Sequence, residues 1–217
     1  MATGLRVIND FGTVLIDTVS PALALRKKST LVSSNLTVPI FTVENADSPV
    51  VVVYSPTFIR APYIDWVSST KRYHTGLVYG SFGSVNIDFF AFDKLVASGN
   101  TYGLKLYDAA GNLTFDSSLK HARVVADLTA NGTFNGTSGR KYAGVIVGSY
   151  YKDEIIDPGI PGQRQRDVYA THIRSTGSQL IVGSELISSI TYPSGDSPTV
   201  IAERGAPRVL VVDVTGY

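Results

Sequence analysis

Cysteine is absent from this 217-residue chain. That absence removes disulfide frameworks, thiol nucleophiles and thiolate metal sites together, and leaves the redox compartment open. Neither sign of charge is in excess. The 19 Lys and Arg stand against 18 Asp and Glu, a formal net charge of +1, so no strong field draws the chain to nucleic acid or to an anionic membrane. No window approaches the roughly 18 apolar residues that a membrane helix needs, and membrane insertion is not expected. The opening "MATGLRVIND" meets charge at Arg6 and Asp10 before an apolar run develops, which predicts no secretory leader and synthesis in a cytoplasm. Helical periodicity is scarce too: "FDKLVAS" around Lys94 is the one candidate, and it is too short to stand alone.

Chemistry-bearing patterns are equally thin. His74, His121 and His172 are the only histidines, each isolated in a strand-like context. A general base or metal ligand needs partners nearby, so structural roles are expected for all three. G-x-S-x-G, H-E-x-x-H and P-loop patterns are missing, and "GSFGS" at 80–84 has no following helix to cradle a phosphate. Asp153, Glu154 and Asp157 lack the alternating ligands and central Gly of a calcium loop, and Arg164 and Arg166 follow closely, so a solvated loop is the better reading. Lys27, Lys28, Lys71 and Arg72 form small basic pairs of the kind found at exposed strand ends. The Asn-x-Ser/Thr triplets at Asn35, Asn112, Asn131 and Asn135 read as turn chemistry rather than glycan acceptors. No enzymatic activity, metal or cofactor is expected. Tyr63, Trp66 and the "SYY" at 149–151 are the candidate platforms for stacking a carbohydrate.

What the chain does have is alternation. Runs at 36–43, 49–55, 73–82, 84–92, 120–128, 141–151, 166–175, 178–192 and 207–215 are rich in Val, Ile, Tyr, Thr and Phe and are separated by Gly, Pro, Asn and Ser. Many short strands at regular spacing predict an all-β sandwich or barrel. "FFAF" at 89–92 is expected to fill a core. The apolar run Val50–Val53, with Val51 and Val53 as interaction candidates, is expected to be a buried or an interface strand.

One ribbon occurs twice. "GLRVINDFGTVLIDTV" from Gly4 returns as "GLKLYDAAGNLTFDSS" from Gly103 at a constant offset, with Gly, Leu, Gly and Asp identical at Gly4/Gly103, Leu5/Leu104, Gly12/Gly111 and Asp17/Asp116. Each copy reads as two short strands around a tight Gly-containing turn, closed by an Asp that can accept from nearby backbone N–H groups. The retained residues carry backbone geometry rather than reactive groups.

With "ARVV" following the second copy, these ribbons resemble a group of small bacteriophage tail structural proteins that open Tyr-Gly-Leu, then an apolar strand, Asn or Asp, a Gly turn, and Phe/Leu-Asp-Ser. The first copy departs from that pattern with Thr3 in place of Tyr. The resemblance implies a virion protein of the tail tip, baseplate or fibre-attachment region. It would assemble with copies of itself, a trimer being favoured, and with other tail proteins, and a host-surface glycan is a further candidate partner. No catalytic residue is carried over. A capsid decoration protein, a carbohydrate-binding β-sandwich module and an unrecognised hydrolase are the competing readings.

The expected organisation is two related antiparallel β-sandwich-like units, 1–99 and 100–217, each opening with a copy of the ribbon. The boundary is drawn loosely, because the second ribbon could equally complete the first unit's sheet. A long loop at 152–167 interrupts the strand pattern with acids, bases, Pro158, Pro161, Gly159 and Gly162. It is expected to be a contact arm, with Ile155, Ile156, Ile160, Arg164 and Arg166 as its interaction candidates.

Overall fold

The computed structural model describes residues 6–8, 14–17, 22–34, 39–60, 63–67, 70–74, 83–193 and 199–217. All regular structure among them is β-strand, arranged in antiparallel sheets. The "FDKLVAS" segment forms no helix; its first residues end the strand Val85–Asp93 and the rest is irregular.

The largest continuous apolar runs form the centre. In the main six-stranded sheet the spatial order is Val124–Leu128, Arg208–Asp213, Tyr142–Gly148, Val50–Tyr54, Val85–Asp93 and Ala24–Ser33. Val50–Tyr54 pairs with Val85–Asp93 so that Val51 lies opposite Ala91, Val52 opposite Phe90 and Val53 opposite Phe89. Alternate residues therefore leave opposite faces of the sheet. Val51, Val53, Ile87, Phe89 and Ala91 enter one cluster, with Ile173, Leu180 and Val182 of a second sheet. Val52, Phe90 and Phe92 enter another, with Ala143, Val212 and Val214. Burial on both faces is why "VVVV" and "FFAF" are unbroken rather than alternating with polar residues. Val51 and Val53 are 4% and 0% exposed, so these two interaction candidates are core residues and offer no surface to a partner.

The second six-stranded sheet runs Gly132–Asn135, Gln179–Pro193, Gln163–Thr176, Tyr151–Ile156 and Thr199–Arg204, with the short strand Ile59–Arg60 paired to Gln163–Thr176. It packs against the main sheet through Ile173, Leu180 and Val182, a sandwich. Gly144 faces this interface closely: a Cβ there would lie 2.9 Å from Ile173 Cδ1. A three-stranded sheet, Ile40–Glu44, Thr70–His74 and Tyr63–Val67, adds Phe41, whose ring stacks on Phe89 at 5.1 Å. The main sheet takes three strands from before Gly99 and three from after it.

Two expectations are corrected. The segment 152–167 is no loop: Tyr151–Ile156 pairs with Gln163–Thr176 from Tyr151 opposite Ala170 to Ile156 opposite Gln165, leaving only 157–162 between the strands. Both prolines fall in that connection, where they cost no ladder hydrogen bond. The run 141–151 is also not one strand, because it breaks at Ser149–Tyr150 as the chain passes from one sheet to the other. Ala24–Ser33 was hidden by its own composition. It is an edge strand with Arg26, Lys27 and Lys28 exposed, and lysines on an edge discourage pairing with another chain.

Candidate functional site

The duplicated ribbons keep their identity in three dimensions. Arg6, Val7 and Ile8 lie opposite Asp17, Ile16 and Val14, with a register shift between Val7 and Ile8. Lys105, Leu106 and Tyr107 lie opposite Asp116, Phe115 and Leu113, with the shift between Leu106 and Tyr107. Both copies carry the same pairing and the same bulge at equivalent positions. The ribbons also meet: the N–H of Ala22, just past the first, donates to the carbonyl of Thr114 in the second at 3.0 Å.

In the second copy the retained residues have clear work. Asp108 accepts from the N–H groups of Ala110 and Asn112 at 2.9 and 2.8 Å, and Gly111 takes φ of 85° to complete the turn. Asp116 is buried and accepts from the Ser118 hydroxyl and N–H at 2.6 and 3.0 Å and from the Ser98 hydroxyl at 2.7 Å. Those hydroxyls, Ser118 first, hold its carboxyl well below the usual carboxylate range. The turn residues of the first copy, including Gly12, lie outside the described residues.

The sequence-derived contact candidates separate. Ile155 and Ile156 are half-buried strand residues, while Ile160 is exposed in the 157–162 connection. Arg166 is exposed but already partnered: its Nε and Nη2 donate to the two oxygens of Asp153 at 2.9 and 2.6 Å. That fork holds the Asp153 carboxyl below its ordinary value. Arg164 donates to the Gln163 carbonyl and stands 3.6 Å from Asp157. Each acid of the supposed calcium loop thus has a cation beside it, Lys152 serving Glu154 at 2.7 Å. Among the described residues no three His, Asp or Glu side chains are grouped to hold a metal ion.

The histidines have structural surroundings where they are described. His121 stacks on Phe115 and its Nε2 lies 2.7 Å from the Asp116 carbonyl. His172 is buried, with the Phe58 ring edge-on at 4.0 Å. Burial first, and then Arg174, push its pKa down to about 4. It is neutral near pH 7, so the Glu185 carboxylate 3.6 Å away is not its ion partner there. The side chains of His74, Tyr63 and Trp66 lie outside the described residues.

Of the described aromatic platforms, Tyr150 lines a concave surface. Beyond the packed part of the sandwich a groove of about 690 Å³ opens, lined by Tyr150, Lys152, Glu154, Tyr169, Ser184, the loop Thr129–Asn131 and the pair Ala206–Pro207. Lys152 lies opposite Tyr169 on one neighbouring strand and opposite Glu203 on the other, so these side chains share a face. Tyr150 donates its O–H to Glu203 at 2.9 Å, and Lys152 lies over the Tyr169 ring at 5.9 Å. Ser184 donates to the Asn131 side-chain oxygen at 3.1 Å. Burial raises the pKa of both tyrosines, and Glu154 raises that of Lys152, so the phenols stay protonated and the amine stays charged. Gly205 brings the outer loop in: its φ is 75° and a Cβ there would lie 2.3 Å from the Ser149 carbonyl oxygen.

Tyr169, Lys152 and Ser184 were not singled out from the sequence, while Glu154 was read as part of a solvated loop and Asn131 as turn chemistry. The available signal was the alternation Tyr150, Lys152, Glu154, which places aromatic and charged groups on one strand face. Compared with models of protein families, with characterised proteins and with solved structures, the chain has no significant match to any.

Proposed function

We propose that this chain is a structural protein of a bacteriophage virion. It would be a tail-tip, baseplate or fibre-attachment component that works by assembling with copies of itself and with neighbouring tail proteins, not by catalysis. The observation that supports the reading is the ribbon pair. The motif that carries the resemblance to tail proteins occurs twice with one register and one bulge. Each copy forms its own two-stranded sheet. Short ribbons present unpaired backbone edges, and a repeated patch suits closed rings of identical subunits. A trimer is favoured. The near-neutral charge argues against nucleic acid as a partner.

Mass spectrometry of gradient-purified particles tests the proposal. Peptides of this protein are expected in tailed particles and are expected to be lost from heads purified out of a tail-less mutant. Equal recovery from tail-less heads would transfer the protein to the capsid. Absence from both would end the virion reading.

A further inference from the structure

We propose that the groove around Tyr150 and Tyr169 is a binding site for an uncharged saccharide. The proposal does not rest on placement in a tail. Its volume of about 690 Å³ falls in the roughly 300–1,000 Å³ range of small-ligand sites, and it sits where two sheets part. Its lining has the composition that a hydroxyl-rich ring requires. Tyr150 and Tyr169 give aromatic surface for the C–H face of a sugar. Lys152 Nζ and Glu154 Oε2, 2.7 Å apart, put a charged donor beside a charged acceptor. Neighbouring sugar hydroxyls, each both donor and acceptor, can bridge such a pair. Asn131, Ser184 and the Tyr150 phenol extend the same mixed lining along the groove.

Charge selects against the other small ligands that favour aromatic clefts. Lys152 is matched by Glu154, and Glu203 adds a second carboxylate next to Tyr150. A phosphate or other strong anion would meet net repulsion there, whereas an uncharged saccharide would not. The Tyr150 backbone is also anchored before any ligand arrives. Tyr150 is tied through its N–H to Thr171 Oγ1 at 2.7 Å, and the Thr171 N–H returns to the Tyr150 carbonyl at 3.1 Å. Such anchoring reduces the ordering cost of binding.

The full chain is to be titrated, by saturation-transfer NMR and calorimetry, with neutral oligosaccharides of glucose, galactose, mannose and N-acetylglucosamine, and with phosphorylated forms of the same sugars. Saturable binding to at least one neutral oligosaccharide is expected, tighter than to its phosphorylated form. Tyr169→Ala and Glu154→Gln should each weaken it about tenfold or more. Ala206→Trp, at an exposed rim position, should block the groove without touching the core, and it serves as the test if Tyr169→Ala does not fold. No saturable binding at millimolar sugar would overturn the proposal, as would binding that Ala206→Trp leaves intact or a preference for the phosphorylated forms. None of these results alters what particle mass spectrometry reports about the tail.

Discussion

Gly144→Ala tests the packing between the two sheets of the sandwich. Gly144 lies opposite Val211 in one neighbouring strand and Val53 in the other. A methyl group there would lie 2.9 Å from Ile173 Cδ1, 3.2 Å from Leu180 Cδ2 and 3.3 Å from Val209 Cγ1. All three neighbours are at most 2% exposed, so none can swing into solvent to make room. Overpacking of this kind costs about 1–3 kcal/mol, against about 0.5–1 kcal/mol regained by replacing a strand glycine. Gly132→Ala supplies the matched control. It also lies in a strand, but a Cβ there has nothing within 4 Å, so only the backbone gain applies. The difference between the two variants therefore isolates the overpacking, about 1–3 kcal/mol. In a domain of this size that is roughly 2–4 °C of melting temperature for each kcal/mol. Calorimetry of the two variants beside wild type measures it. If Gly144→Ala melts with or above Gly132→Ala, the two sheets do not meet where the reasoning places them.

Other outcomes follow from individual residues. His172 has a folded pKa below its unfolded value, so the unfolded chain binds more protons between them. Its contribution is complete above about pH 6.5 and is lost as pH falls toward about 4, worth at most about 3 kcal/mol. His172→Phe should flatten the fall of melting temperature across that window, and an unchanged slope would refute the assignment. Arg166→Gln should lower thermal stability, because it leaves the Asp153 carboxylate buried without its fork. The double variant with Asp153→Asn should recover part of the loss, whereas a single variant as stable as wild type would return Arg166 to the list of free contact residues. Replacing 157–162 by an Asn-Gly turn should leave circular dichroism and melting close to wild type, since only a connection between paired strands changes. A large loss of stability would give that connection a folding role.

The sequence was most legible where backbone geometry leaves a local trace. The ribbon duplication, readable from Gly111, Asp116 and their first-copy equivalents, carries through to register and bulge. Unbroken apolar runs at Val50–Val53 and Phe89–Phe92 announced buried segments, though not that the two would pair or that sheets would cover both of their faces. Segments that obey non-local rules were misread. Ala24–Ser33 looks too basic for a strand until its edge position is known. Residues 152–167 look like a loop because the partner of Asp153 is Arg166 on the neighbouring strand, a pairing that local spacing does not reveal. The groove was legible only at Tyr150. Asn131, Ser184 and Pro207 reach it from separate elements, and pairing order, not local spacing, brings them together.

Cryo-electron microscopy of the intact particle tests the central claim, assembly within a phage tail, most directly. Density at the tail tip, baseplate or fibre-attachment site should accept this chain, with its two six-stranded sheets, in symmetric copies whose contacts involve the paired ribbons. Three copies about the tail axis are expected. A single isolated copy, copies on the capsid surface alone, or a tail with no density for this fold would contradict the account.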